Sequence, residues 1–315
     1  MHKVLFINGQ SKYIADIVEK YAVKGFSLEV CSSRLSEQEK IERVRGVEFL
    51  VLHPADICID VLQNAKSLRH IQLLTAGYDK VDLAAAAEFG ITVATNGGAN
   101  AWAVAEQAIA LLLCLYKRLI QCDQSVRAGT WRKPITGMNT FELAGKTVGL
   151  LGVGNIGGKV AKRLQAFETR VIYHDRYRKP GDEGWESVSL ETLLRESDVL
   201  SVHVPLTAET RGLIGAGHLA QMKPNAVIIN TSRAEVFDEV ALEEALRTRQ
   251  IAGAGLDVFH QEPVAMASGL LALENVVLSP HSAGHSYEGW FRRSQFAWEN
   301  IQRVAAGETP LSLAR

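Results

Sequence analysis

Short apolar runs recur along the chain at the spacing of a sheet built from separated strands. In the first hundred residues they fall at 4–7, 27–30, 49–52, 71–74 and 92–94. Helical runs lie between them, as at 13–21 and 36–43. Alternation of this type predicts a mainly parallel sheet with helices on both faces. A second set of runs follows at 147–151, 170–174, 199–204, 226–230, 253–257 and 276–279, with helical segments between most of them. Between the two sets, residues 101–119 are apolar over much of the helical circumference, the pattern of a helix buried in a domain or against another subunit. Residues 287–306 are amphipathic and helical, and packing them back onto the first set makes that unit discontinuous.

The second set opens on an informative loop. The apolar run Thr147-Val-Gly-Leu-Leu151 leads into Gly152-Val-Gly154-Asn-Ile-Gly157. A helical run over 159–167 follows, with Val160, Leu164 and Phe167 on one face. Residues 170–174 then form a strand that ends at Asp175, eighteen residues past Gly157. Strand, glycine loop, helix, strand and acid in this order make a dinucleotide-binding fingerprint. Gly152 permits the tight turn, Gly154 lets the backbone approach a pyrophosphate, and Gly157 lets helix and strand pack closely. The helix N-terminus offers N–H groups and a positive dipole end to the phosphates. Asp175 suits the ribose hydroxyls of an adenosine and repels a 2′-phosphate, favouring NAD over NADP. Arg176, Arg178 and Lys179 follow closely and pull the other way. The expected fold class is therefore α/β: a doubly wound Rossmann-type nucleotide domain over 99–285, and a smaller flavodoxin-like α/β domain over 1–98, completed by 286–315.

Composition narrows the partners. The 315 residues are 47% apolar and 22% charged, with net charge −1, so nothing suggests nucleic acid or an anionic membrane surface. The longest apolar run, 108–116, is far below the roughly twenty residues of a membrane helix. The four cysteines, Cys31, Cys58, Cys114 and Cys122, form no CxxC pair and no metal-ligand spacing. They read as reduced thiols of a cytoplasmic protein that holds no metal.

Chemistry concentrates at strand ends, where open α/β sheets place their ligands. Residues 198–207 carry a strand into Val204 and Pro205, on the expected path of a cofactor. Ile229-Asn-Thr231-Ser232-Arg233 brings an arginine to the same crevice, with Thr231 and Ser232 beside the cofactor. Leu256-Asp257-Val-Phe-His-Gln-Glu262-Pro supplies an acid, and Leu278-Ser-Pro-His281-Ser-Ala283-Gly284 a histidine. His203, within its predicted strand, reads as structural; His285 is a minor alternative to His281.

These clusters resemble those of the D-isomer-specific 2-hydroxyacid dehydrogenases, and the resemblance runs over nearly the whole chain. It includes Thr75-Ala76-Gly77-Tyr78-Asp-Lys-Val-Asp82 in the first unit and Asn100-Ala-Trp-Ala-Val-Ala-Glu106 at the start of the long helix. The resemblance implies an NAD-dependent oxidoreductase that interconverts a small 2-keto acid and a D-2-hydroxy acid, with Arg233, Glu262 and His281 catalytic. It also implies cofactor contacts from Asn155, Ile156, Asp175, Val204, Asp257 and the loop from His281 through Ala283 to Gly284, and a homodimer, to which the long helix and Gly129-Thr-Trp131 also point. The chemistry is consistent. His281 is a natural proton donor to a developing alkoxide. Glu262 favours its charged form and orients the ring. Arg233 binds the carboxylate and polarises the keto oxygen. The N–H groups of Ala76 and Gly77, beside Thr75, are candidates for the other side of the carboxylate, with Tyr78 and His53 as pocket walls.

The match departs from the family pattern after the arginine. Ala234 stands where glycine is usual, which restricts the backbone if positive φ is needed there, and Glu235 adds negative charge. No arginine lies near Leu52 and His53 to clamp a phosphate, so phosphoglycerate is disfavoured, while glyoxylate, hydroxypyruvate and bulkier apolar keto acids stay open. A second function class also stays open: an NAD(H)-sensing binding protein, corepressor-like, with little turnover. Oxidation of formate on the same scaffold fits less well, because it leaves no alkoxide to protonate.

Overall fold

The computed structural model describes residues 1–54, 56–135, 137, 139–177 and 184–314. The chain divides into two compact units, Met1–Asn100 with His285–Arg315, and Ala101–Gly284.

The first unit holds five strands, β1 (His2–Asn8), β2 (Phe26–Ser32), β3 (Phe49–His53), β4 (His70–Leu73) and β5 (Thr92–Ala94). All pair in parallel, in the order β2-β1-β3-β4-β5. Helices α1 (Lys12–Lys20), α2 (Glu37–Arg43), α3 (Ile59–Asn64) and α4 (Leu83–Glu88) connect them. Successive residues of a strand point to opposite faces, and the core divides accordingly. Leu5, Ile7, Leu50, Leu52, Ile71 and Leu73 pack on one side with Val61, Leu62 and Ala86. Val4, Phe6, Phe49 and Val51 pack on the other with Ile14, Ile17 and Val18 and with Trp290, Trp298 and Ile301 of the C-terminal helix Tyr287–Ala305. That helix belongs to the first unit.

The second unit opens with α5 (Ala101–Lys117) and α6 (Leu119–Arg127). The single helix expected over 101–119 is broken at Arg118, which takes φ 49° and ψ 40°. Beside the break the Tyr116 carbonyl accepts the Phe141 N–H at 3.0 Å, and the two rings pack at 5.6 Å. Seven parallel strands follow: β6 (Thr147–Leu151), β7 (Arg170–His174), β8 (Glu186–Ser187), β9 (Val199–Val202), β10 (Val227–Asn230), β11 (Gly253–Leu256) and β12 (Val276–Leu278). Their order is β12-β11-β10-β9-β6-β7-β8, which reverses direction of growth at β6 and is the doubly wound arrangement. The apolar runs predict six strands; the seventh, β8, is two exposed residues paired to Ile172 and Tyr173, with no apolar run to announce it. β9 ends at Val202, so His203 and Val204 lie beyond the strand rather than within it. Helices α7 (Gly157–Gln165), α8 (Leu190–Glu196), α9 (Ala216–Leu219) and α10 (Glu239–Arg247) cover the sheet together with α5. Leu150, Tyr173 and Ile229 face α5 and α7, whereas Leu151, Ile172, Ile228 and Leu256 face α8 and α10.

Caps fix several helix starts. Ser36, Asp82, Ser189, Asp238 and Ser286 each accept a backbone N–H three residues on. Helices α1, α3, α6 and α7 have no side-chain cap; α7 starts after Ile156. Among the described residues no helix is long and apolar enough to cross a membrane.

Candidate active site

The glycine loop joins β6 to α7, and its three glycines answer to three different constraints. Gly152 has φ +89°, and a Cβ there would lie 3.0 Å from Val204 Cγ1 and 3.1 Å from the His203 carbonyl. At Gly157 a Cβ would fall 2.1 Å from the Gly152 carbonyl oxygen, so helix and loop meet backbone to backbone. At Gly154 a Cβ would meet nothing within 4 Å. Packing within the protein does not require that glycine, which leaves open space for the close approach of a ligand. Asn155 and Ile156 complete the turn into the uncapped α7.

Asp175 ends β7 and faces this loop. One carboxylate oxygen accepts the Val153 N–H at 2.8 Å, the other the Tyr177 N–H at 2.9 Å. Arg176 is exposed beside it, close enough to Glu209 to help hold that carboxyl below the ordinary range, after the Thr207 hydroxyl and the local backbone N–H. Arg178 and Lys179 lie outside the described residues. Past β9, Val204 packs on Gly152 and the Pro205 carbonyl accepts the Thr210 hydroxyl at 2.6 Å. At the end of β10 the Thr231 hydroxyl is buried without a hydrogen-bond partner. A buried orphan hydroxyl, an uncapped helix start, an open glycine and an acid at the second strand end all fit a dinucleotide lying across these strand ends.

Three further strand ends carry the reactive groups. After β10 the chain turns sharply, and Asn230, 1% exposed, braces the turn. Its Oδ1 accepts the Ser232 N–H at 3.0 Å and the Ser232 hydroxyl at 2.9 Å, and its Nδ2 donates to the Arg233 carbonyl at 2.9 Å. Arg233 Nη1 donates to the Ser232 carbonyl at 2.9 Å. Ala234 sits in a short 3-10 turn and is absent from the residues with positive φ. The glycine usual in relatives is therefore not required here, and the expected restriction does not arise. After β11, Asp257 is fully buried and its carboxylate accepts three donors from the loop after β12: the Ser279 hydroxyl at 2.5 Å, the Ser282 N–H at 3.0 Å and the Ala283 N–H at 2.9 Å. That loop holds His281 at φ +50°, its N–H donating to the Asp257 carbonyl at 2.7 Å.

The loop after Asp257 brings Glu262 to His281. Glu262 Oε2 lies 2.7 Å from His281 Nδ1, and Oε1 accepts the Phe259 N–H at 3.0 Å. Burial alone pushes the Glu262 carboxyl up, but the His281 and Phe259 hydrogen bonds and the charges of His281 and Arg233 outweigh it and leave it below the ordinary carboxylate range. Arg233, Glu262 and His281, from three separate strand ends, thus form one electrostatic cluster. The His281 side chain is 45% exposed, so its second ring nitrogen is accessible.

A family model described as the NAD binding domain of D-isomer specific 2-hydroxyacid dehydrogenases matches residues 109–283. The chain belongs to this family. It is a dinucleotide-dependent 2-hydroxyacid dehydrogenase. Similar proteins include a glyoxylate reductase from Thermococcus litoralis, 42% identical over 87% of this chain and 85% of that protein. A hydroxypyruvate reductase from Thermotoga maritima is 39% identical over 83% of this chain and 86% of that one. The crystal structure of TT0316 protein from Thermus thermophilus superposes with TM-score 0.86 at 35% identity, covering 100% of both chains.

The remaining candidates belong to the other unit. His53 ends β3, 8% exposed, its ring 4.9 Å from that of Trp290. His285, the alternative acid, packs 5.6 Å from the same Trp290, whereas the Glu262 partner belongs to His281. Thr75 donates its hydroxyl to the Gly77 carbonyl at 2.8 Å, Ala76 is exposed, and Tyr78 is half-buried against the core. Among the described residues no group of three or more His, Cys, Asp or Glu side chains could hold a metal ion. Sequence reading missed the roles of Asn230 and of the Phe259 N–H. An Asx residue at a strand end, three positions before a candidate functional loop residue, is the local signal that was available.

Proposed function

We propose that this dehydrogenase reduces short 2-keto acids to D-2-hydroxy acids with NADH, using His281 as acid, Glu262 as its partner and Arg233 as the anion-binding group. The 2.7 Å pairing of His281 Nδ1 with Glu262 carries the reading. With Nδ1 engaged, Nε2 is the nitrogen left to donate a proton to the keto oxygen. The Glu262 carboxylate holds the ring in one orientation from turnover to turnover. Arg233 offers a planar fork to the substrate carboxylate and positive charge near the developing alkoxide. When bound, the dinucleotide supplies the hydride to the keto carbon. Asp257 holds the His281 loop in place through its three donors. The reaction consumes one proton, taken from His281 and replaced from solvent.

Glyoxylate and hydroxypyruvate are the substrates of choice, supported by the reductases named above. Preference for NADH rests on Asp175, whose charge opposes a 2′-phosphate. The assignment of Thr75, Ala76, Gly77, Tyr78 and His53 to substrate recognition rests on the family resemblance of that segment. A homodimer is supported by the apolar residues exposed on α6 and just after it: Leu119 at 55%, Val126 at 57% and Trp131 at 67%. Sedimentation as a monomer at micromolar concentration would remove that part of the reading.

The direct test is loss of NADH absorbance with glyoxylate, hydroxypyruvate, pyruvate and phenylpyruvate, repeated with NADPH. Turnover with NADH preferred supports the whole assignment. Tight NADH binding without turnover on the panel would favour a dinucleotide-sensing role instead.

A further inference from the structure

We propose that Asn230 is a positioning residue for Arg233, setting where the guanidinium stands through the turn between them; this rests on the role just given to Arg233. Asn230 is the last residue of β10 and 1% exposed. Its position is fixed on both sides: it pairs with Val202 of β9 and Leu256 of β11, and its carbonyl accepts the Asp257 N–H at 3.0 Å. From this fixed point the amide group uses both its ends on the next three residues. The oxygen takes the Ser232 N–H and hydroxyl, and the nitrogen reaches the Arg233 carbonyl. The Arg233 guanidinium then bonds back to the Ser232 carbonyl. The turn is therefore tied at Ser232 N–H, Ser232 Oγ and Arg233 carbonyl before the arginine side chain begins.

Only asparagine fits this set at this size. The site needs an acceptor for two donors and a donor for one carbonyl, all within a buried strand end. Aspartate supplies the acceptor but sets an anion against the Arg233 carbonyl and offers the guanidinium a competing partner. Alanine leaves the Ser232 N–H and the Arg233 carbonyl to find other partners. Either change frees the turn, and misplacement of a binding group by about 1 Å is worth on the order of a hundredfold in rate.

The experiment is a double-mutant cycle of Asn230→Ala and Arg233→Gln, with Asn230→Asp as the isosteric variant. Steady-state reduction of glyoxylate, or of whichever keto acid of the panel turns over fastest, is compared with NADH affinity by fluorescence and with melting temperature. We expect Asn230→Ala and Asn230→Asp to lower kcat/KM by about tenfold to a hundredfold, through both kcat and KM, and to change NADH affinity by less than about tenfold. In the Arg233→Gln background the same changes should have almost no further effect, because residues acting as one unit are not additive. Additive losses, or losses that track melting temperature alone, would make Asn230 a structural cap and overturn the proposal. If the alanine variant does not fold, the aspartate variant carries the same comparison at native volume. A wild-type kcat/KM in Arg233→Gln would instead overturn the role of Arg233 itself, a distinct outcome.

Discussion

At the scale of single residues, the proposed mechanism divides the work between His281, which gives the proton, and Glu262, which holds its ring. Replacement of His281 by Asn is expected to lower kcat by roughly 10²–10⁴-fold while NADH binding persists, as fluorescence titration will read. Glu262→Gln tests the partner: it removes the charge that the proposed mechanism sets beside His281, and should lower kcat/KM for keto acid reduction by roughly 10²-fold. Glu262 itself is held below the ordinary carboxylate range, so in the wild type its protonation should limit activity only at pH values below that range. A wild-type kcat/KM in Glu262→Gln would remove the pairing from the mechanism. The pair was legible in the sequence because each group follows a strand on a motif. Asn230 was legible only as a member of its motif, since a side chain that bonds its own turn leaves no compositional trace.

At the scale of the element, the β6–loop–α7 segment separates folding from binding. Gly157→Ala puts a Cβ 2.1 Å from a backbone carbonyl oxygen, so the segment must shift. We expect a loss of about 1–3 kcal/mol in unfolding free energy, together with weaker NADH binding. Gly154→Ala has open space in the protein and should change stability by less than about 0.5 kcal/mol. It should nevertheless weaken NADH binding about tenfold or more, because the methyl occupies the approach of the phosphates. Chemical denaturation and fluorescence titration on the two variants distinguish these effects; equal losses of stability would refute the division. The motif was readable because its glycines sit between a strand and a helix whose periodicities are strong. β8 was not, because two exposed residues paired to an edge carry no pattern, and the α5–α6 break was not, because apolar residues continue past Arg118 into Leu119 and Ile120.

At the scale of the whole molecule, two histidines held neutral in the fold tie stability to pH. His70 is fully buried on β4, and burial pushes its pKa down to about 4 despite hydrogen bonds to the Gln72 side-chain oxygen and the Thr92 carbonyl. His203, whose Nδ1 is buried beneath the glycine loop, is pushed down to about 3 by the same cause. In the unfolded chain both titrate near 6.5. Above that pH neither state binds the proton and stability is flat; below it the unfolded chain takes up protons that the fold refuses, so stability falls until the folded values are reached. Between pH 7.5 and pH 5 each histidine should remove about 2 kcal/mol. The sequence gives no sign of this at His70, whose burial comes from a network closed by distant residues. Gln72 Oε1 also accepts the Asn300 side chain at 2.8 Å, and Asn300 in turn accepts the Leu311 N–H at 2.7 Å, so the C-terminal helix and tail shut the site. Replacing His70 with Gln removes one titration, and the fall in unfolding free energy between those pH values should shrink by about half. An unchanged pH dependence in that variant would mean that His70 accepts its proton without unfolding, through an opening of the C-terminal segment.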